Sequence, residues 1–299
     1  MRGKRRPPSF PHELADCAGR YESLVDPSGG SLSGSIVGRV GYNPSVHSGA
    51  RSPGGRQPGA PVARLTIDRG QADEHRWPYT VPAVRQLFDE GLDLVPGATV
   101  LVGANGAGKS TIVEAVAAAW GRRMSAFRED WLQQSVAAPS EEDSDLHRAI
   151  RLEFTQGGVT GGLFLRAERL HAQAAGFAHR GRWNDRVDGP LLHRSHGEGF
   201  LQVLAGMAAE PGLYVLDEPE SALSFDSCLV LLSIMTDMLA AGSQVLLATH
   251  SPVLAALPAA RLLQLDDGGI TPVDYDSSDL VTSWRRFLGN PDAYLRHLR

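Results

Sequence analysis

A glycine-rich segment with one lysine carries the clearest chemical pattern. Residues 103–110 read GANGAGKS, which matches GxxxxGK[ST], and an apolar run at 98–102 precedes them. In this pattern backbone amides surround nucleotide phosphates at a helix N-terminus, the lysine bridges the β- and γ-phosphates, and the hydroxyl ligates Mg²⁺. The sequence therefore predicts binding of ATP with Mg²⁺. The candidate residues are Gly103, Asn105, Gly106, Ala107, Gly108, Lys109, Ser110 and Thr111.

Lysine usage supports a special role for this position. Among 29 basic residues, only Lys4 and Lys109 are lysine. A compact ammonium fits between phosphate oxygens in a way that the planar guanidinium of arginine does not. We therefore expect Lys109 to act on phosphate.

Two adjacent acids and a histidine follow apolar runs further along the chain. Residues 213–220 read LYVLDEPE, and residues 246–252 read LLATHSP. An acid at the end of a strand can hold Mg²⁺, and the next acid can activate the attacking water. We predict Asp217 as a metal ligand, Glu218 as the catalytic base, and His250 as a donor that positions the water beside the γ-phosphate.

With these motifs in place, the sequence resembles the ABC-class ATPases. The segment SHGEGF at 195–200 stands 22 residues before Asp217, where that class carries its LSGGQ signature. Ser195 and Gly197 are kept, while His196 and Glu198 replace glycine and glutamine. The resemblance implies that Ser195, Gly197 and Glu198 contact the nucleotide of a second subunit in a head-to-tail homodimer. It also assigns SALS, at 221–224, to the dimer-contact loop.

Within that class, the chain is similar to a family of small bacterial ATPases with an SHGE signature. The resemblance spans residues 62–298 and includes GLFLRAE at 162–168. Such proteins are related more closely to SMC and RecF type ATPases than to transporter subunits, and family membership does not define their substrate.

Three further assignments follow from the resemblance and leave alternatives open. Tyr79 or Trp77 is the candidate for stacking on adenine, although either can be a core residue. Gln156 is the candidate glutamine that senses Mg²⁺ and the γ-phosphate, although an exposed turn explains it equally well. Arg166 and Glu168 form either a structural pair or a contact with the partner subunit.

The order of apolar runs predicts an α/β fold with a mostly parallel sheet flanked by helices, as in P-loop NTPases of the ABC type. Predicted strands lie at 62–68, 98–102, 149–154, 162–166, 213–216, 244–248 and 261–265, with helices at 111–120, 199–209 and 225–241. We expect a small inserted arm at about 122–198 within a domain at 61–299. Residues 1–60 are rich in Gly, Pro, Ser and Arg, which predicts a disordered basic tail.

Composition limits the class of protein and its expected location in the cell. Two cysteines, Cys17 and Cys228, exclude a disulfide framework, and the apolar run at 229–241 is too short for a membrane span. We expect a cytoplasmic protein without direct membrane insertion. A net charge of -5 gives no overall attraction to nucleic acid.

The leading hypothesis is an ATP-driven homodimeric switch that acts on an unknown protein or nucleic acid. The alternative is the nucleotide-binding subunit of an ABC transporter. A hexameric remodeller or a P-loop kinase leaves the SHGE and THS segments without an explanation.

Overall fold

The computed structural model of the protein describes residues 61–125, 144–155, 161–166 and 196–296. The predicted tail at 1–60 lies outside these ranges. The strands are β1 Val62–Ile67, β2 Leu92–Asp93, β3 Ala98–Gly103, β4 Ile150–Phe154, β5 Gly161–Arg166, β6 Gly212–Asp217, β7 Gln244–Ala248, β8 Arg261–Asp266 and β9 Gly269–Pro272. The helices are α1 Pro82–Asp89, α2 Lys109–Ser125, α3 Leu146–Ala149, α4 His196–Met207, α5 Phe225–Ala240, α6 Pro252–Ala255, α7 Asp279–Gly289 and α8 Asp292–Leu295.

The main sheet has six strands in the spatial order β5-β6-β7-β3-β8-β9. All neighbouring pairs are parallel except β8 and β9, which form an antiparallel hairpin. The predicted mostly parallel sheet is therefore confirmed. Because the carboxyl ends of parallel strands meet at one edge, the segments after β3, β6 and β7 emerge side by side.

Side chains of this sheet pack into a core on each face. Along β3, Val100 and Val102 join one apolar cluster, whereas Leu101 joins the other. The same alternation places Tyr214 and Leu213 of β6 on opposite faces. Successive strand residues point to opposite faces, so continuous apolar runs such as these are buried on both sides.

Helices cover both faces, and their ends follow local sequence rules. Helix α1 begins at Pro82 and buries Val84, Leu87 and Phe88. Helix α5 is capped by Ser224, whose hydroxyl accepts a hydrogen bond from the backbone N–H of Ser227. The predicted helix at 225–241 is confirmed with an end one residue earlier. Helix α1 and the two C-terminal helices were not predicted from the sequence.

A second sheet of three antiparallel strands, ordered β2-β1-β4, lies beside the first. The sequence interpretation did not separate β1 and β4 from the parallel strands. They mix buried residues with partly or fully exposed ones, whereas every residue of β6 and β7 is buried. Half-buried alternation is typical of an antiparallel sheet with one solvated face.

One buried glutamine joins the two sheets. Gln244, the first residue of β7, is 2% exposed. Its side-chain oxygen accepts from the N–H of Val62 at 3.1 Å, and its amide nitrogen donates to the carbonyl oxygens of Val62 at 2.9 Å and Val95 at 3.2 Å. The start of β1 is thereby held against the start of a central strand.

The range predicted as an inserted arm, 122–198, requires a correction. It contains β4, which pairs with β1, and β5, which pairs with β6 at one edge of the main sheet. The strands predicted at 149–154 and 162–166 are thus confirmed, each to within one residue. Sequence spacing could not show which sheet each strand joins, because the pairing partners of both strands lie far away in the chain.

Candidate nucleotide-binding and hydrolysis site

The phosphate-binding loop connects β3 directly to α2. Gly103 ends the strand with φ +149, and a Cβ atom there would lie 2.2 Å from the carbonyl oxygen of Leu265. Only glycine fits against that neighbouring backbone. Asn105, Gly106 and Ala107 lie in the loop, and α2 begins at Lys109 and continues through Ser110 and Thr111. This is the strand, loop and helix arrangement that binds phosphate at a helix N-terminus.

Lys109 is held inside this loop. Its side chain is 4% exposed, and its ammonium donates to the carbonyl oxygens of Gly103 at 2.9 Å and Ala104 at 3.0 Å. Burial lowers the pKa of Lys109, while nearby carboxylates, led by Glu218, act in the opposite direction. The ammonium is thus positioned at the helix start, close to several acids.

Asp217 lies at the end of β6, and its side chain is 1% exposed. Burial raises the pKa of its carboxyl group to about 6, whereas the nearby Ser110 hydroxyl and the Arg166 guanidinium lower it. Its Oδ1 atom is buried without a hydrogen-bond partner. A buried carboxylate oxygen beside a serine hydroxyl is a suitable donor pair for Mg²⁺, so the two residues fit that ion.

Glu218 and His250 face each other across two neighbouring strands. The Oε1 atom of Glu218 lies 3.5 Å from Nε2 of His250. Glu218 has a left-handed backbone with φ 45 and ψ 50, and its N–H donates to the carbonyl oxygen of Ala248 at 2.9 Å. Side chains other than glycine adopt this conformation at an energetic cost, and such residues concentrate in functional sites. The carboxylate and the imidazole can together hold one water molecule.

Glu220 also belongs to this site, although no role for it is predicted from the sequence. Its Oε1 atom accepts a hydrogen bond from the backbone N–H of His250 at 2.5 Å. The DEPE segment thus fixes the backbone of the histidine that follows the neighbouring strand. Glu220 is the third acid of the DEPE segment, which was the one hint in the sequence that it belongs to the site. Its contact could not be predicted, because its partner is 30 residues away in the chain.

Comparisons with known proteins agree with this geometry. A family model described as an AAA domain matches residues 83–175. The chain is 27% identical over 217 residues to the hemin import ATP-binding protein HmuV of Rhodococcus jostii, covering 66% of this chain and 72% of HmuV. It is 29% identical over 187 residues to the cytochrome c biogenesis ATP-binding export protein CcmA of Paramagnetospirillum magneticum, covering 57% of this chain and 82% of CcmA.

The family match, the two relatives and the loop between β3 and α2 agree with one another. The chain is similar to ATP-binding proteins of the ABC class and has the strand, loop and helix of a P-loop NTPase. Among solved structures, a metal-chelate type ABC transporter in an inward-facing conformation aligns with a TM-score of 0.42 and 17% identity, over 74% of this chain and 88% of that chain. An SMC head bound to the C-winged helix domain of ScpA aligns with a TM-score of 0.42 and 11% identity, over 72% of this chain and 98% of that chain.

The placement of Tyr79 contradicts its predicted role in stacking on adenine. Its side chain is 2% exposed and packs in the apolar cluster that contains Ala83 and Val84. Burial, with a further contribution from Asp145, raises the pKa of Tyr79 to about 12. A ring enclosed in this way has no face available for a base. Trp77, the other candidate, is 54% exposed and remains a prediction.

Gln156, the predicted metal-sensing glutamine, lies outside the described residues, so its role stays a prediction. The strand before it, β4, ends at Phe154, whose ring contacts Trp120 of α2 with centroids 5.8 Å apart.

Arg166 contacts two acids within the described part of the site. It donates to Glu114 on α2, and its Nε atom lies 3.5 Å from Oδ2 of Asp217. Glu168, its other predicted partner, lies outside the described residues. Arg166 therefore lies beside Asp217, the predicted metal ligand. This contact was not predicted from the sequence.

The signature segment is described in part. Ser195 lies outside the described residues, while α4 begins at His196 and includes Gly197 and Glu198. The helix predicted at 199–209 is present, but it spans His196–Met207 and so begins three residues earlier, inside the signature segment. Contact between these residues and the nucleotide of a second subunit stays a prediction.

Proposed function

We propose that this ABC-class protein hydrolyses ATP with Glu218 as the general base and His250 as the residue that positions the water. The observation that carries the proposal is the 3.5 Å separation of Glu218 Oε1 and His250 Nε2 at the sheet edge that also holds Asp217. A carboxylate can accept a proton from water, and a neutral imidazole can donate a hydrogen bond to a phosphate oxygen.

Each residue of the site has a separate task in this proposal. Lys109 and the amides of the loop bind the β- and γ-phosphates and hold them in line with the water. Ser110 and Asp217 hold Mg²⁺, which when bound neutralises charge on the phosphate oxygens. Glu218 takes the proton of the water, and Glu220 keeps His250 in place through its backbone N–H.

We further propose that two copies assemble head to tail around ATP. Ser195, Gly197 and Glu198 then contact the nucleotide held by the partner subunit, with the helix N-terminus of α4 directed at phosphate. The loop at 221–224 leads into Phe225, whose side chain is 62% exposed. An exposed aromatic side chain beside this loop supports its assignment as a subunit contact. Hydrolysis would separate the subunits and so move an attached protein or nucleic acid.

The experiment is the solution mass of Glu218→Gln with and without Mg-ATP. Glutamine removes the base but keeps the side-chain volume, so ATP is retained and a dimer is expected. Glu218→Gln combined with Lys109→Ala is the control and should stay monomeric, because the phosphate ligand is missing. A monomer in both proteins contradicts the dimer proposal. Phosphate release by Glu218→Gln at the wild-type rate contradicts the base assignment.

A transporter subunit is the second candidate, because both relatives named above are ATP-binding proteins of an import or export system. No helix in the described ranges is long and apolar enough to cross a membrane. Recovery of the tagged chain with one membrane protein, and ATP hydrolysis only in that complex, would favour this candidate over the switch.

A further inference from the structure

Arg166 lies where an edge strand of the main sheet meets the metal side of the site. It is the last residue of β5 and is directly in register with Asp217 on β6. Its side chain is 26% exposed, so it is largely enclosed between the sheet and α2. No role in nucleotide chemistry follows from its sequence position alone.

The guanidinium of Arg166 connects two carboxylates from different elements. One nitrogen donates to Oε1 of Glu114, which lies on the helix that begins at Lys109. Another, Nε, lies 3.5 Å from Oδ2 of Asp217. The planar guanidinium can hold two acids in a fixed relative orientation, which a lysine ammonium cannot do equally well.

The two oxygens of Asp217 are therefore not equivalent. Oδ2 faces Arg166, whereas Oδ1 is buried and has no hydrogen-bond partner. A carboxylate held at one oxygen presents the other in a defined direction. Residues that orient a metal ligand in this way commonly change metal affinity by about 10- to 100-fold when they are replaced.

Charge also has to be considered, because an arginine near a metal site can repel the cation. Here Glu114 offsets the guanidinium. The carboxylate of Glu114 places a negative charge beside the guanidinium of Arg166, which reduces the repulsion between Arg166 and a cation held by Asp217. Arg166 is therefore placed to orient the Asp217 carboxylate rather than to compete with the metal for it.

We propose that Arg166 is a positioning residue that orients Asp217 for Mg²⁺ and is itself anchored by Glu114. This inference rests on the proposed Mg-dependent use of ATP at this site. In this role Arg166 acts through Asp217 and needs no contact of its own with the nucleotide. Its loss therefore raises the Mg²⁺ concentration that is needed for nucleotide binding and leaves metal-free nucleotide affinity unchanged.

The test is a Mg²⁺ titration of fluorescent ATP-analogue binding to the full chain, with a parallel measurement in EDTA. For Arg166→Gln we expect half-saturation at roughly tenfold higher Mg²⁺, with the affinity in EDTA equal to wild type. Arg166→Lys keeps the charge but not the bridge, so its Mg²⁺ requirement should also rise. Glu114→Gln should do the same, because it removes the anchor and leaves the arginine charge uncompensated.

Arg151→Gln is the matched control, since Arg151 pairs with Asp68 at 2.7 Å on the other sheet. Its Mg²⁺ requirement should equal that of wild type. Thermal unfolding in EDTA identifies any variant that does not fold. If Arg166→Gln does not fold, the Mg²⁺ titration of Arg166→Lys is used in its place.

The possible failures are distinguishable. If wild type binds nucleotide without any dependence on Mg²⁺, the proposed function of the site fails. If wild type depends on Mg²⁺ and Arg166→Gln has an unchanged or lower requirement, the positioning role alone is refuted. An equal loss of affinity in EDTA and in Mg²⁺ also refutes it, since that result means direct nucleotide contact.

Discussion

Replacement of Gln244 by leucine tests whether the buried amide between the two sheets stabilises the domain. The change removes three hydrogen bonds, two to the backbone of Val62 and one to the carbonyl oxygen of Val95. A buried polar group that loses its partner costs about 1–3 kcal/mol, so the two buried groups of Val62 cost about 4 kcal/mol together. The leucine side chain gains apolar contacts, which restore about 1 kcal/mol of the free energy of unfolding. The expected loss in free energy of unfolding is therefore about 3 kcal/mol.

The assay is thermal and urea unfolding followed by circular dichroism. For a domain of this size, a loss of about 3 kcal/mol lowers Tm by roughly 6–12 °C. Gln264→Leu is the matched control. Gln264 also makes three hydrogen bonds, to Asp266 at 3.2 Å and to Asp279 at 2.9 Å twice, but these are exposed.

Water replaces exposed hydrogen bonds, so the control should lose less than about 1 kcal/mol. Equal losses in Gln244→Leu and Gln264→Leu would refute the argument from burial. A loss below about 0.5 kcal/mol in Gln244→Leu would show that the amide does not hold the sheets together.

Three further measurements test other parts of the structure. Burial raises the pKa of Asp217 from 3.8 to about 6, so wild-type stability falls as pH rises through this range, by up to about 3 kcal/mol. Nucleotide-free Asp217→Asn should therefore have a higher Tm than wild type at pH 8, with the difference closing towards pH 4; a constant difference would contradict the assignment. Tyr214→Phe removes hydrogen bonds to the carbonyl oxygens of Met207 at 2.9 Å and Glu210 at 2.7 Å, and should cost about 1–3 kcal/mol in urea unfolding, whereas no change would mean that water replaces them. Burial raises the pKa of Cys228 to about 11, so this thiol should react with a disulfide reagent only after unfolding, and rapid labelling of Cys228 in the native protein would disprove its burial.

The parts of the site that could be predicted from sequence are those in which short local patterns carry the chemistry. The loop ending in Lys109 follows an apolar run, and Asp217 and Glu218 end another. Each pattern needs only its own strand to be correctly placed. The structure puts all three at the same edge of the sheet.

The remaining assignments depend on tertiary structure, that is, on which sheet a strand joins, which rings are buried and which distant residues are in contact. The apolar run of β4 predicts a strand but not its sheet, and β4 pairs antiparallel with β1 outside the main sheet. Tyr79 has suitable spacing, but spacing does not show that its ring is buried. Arg166 and Glu220 gain their roles from contacts with residues far away in the chain, which periodicity cannot reveal.

The order of strands in the main sheet also has a consequence for the synthesis of the protein. β3, which leads into the phosphate loop, lies between β7 and β8, the seventh and eighth strands in chain order. On the ribosome, β3 emerges long before either neighbour is available. The strands on both sides of β3 are therefore available only when residues up to 266 have been translated. A nascent chain that stops before β7 cannot form the sheet that supports the nucleotide loop.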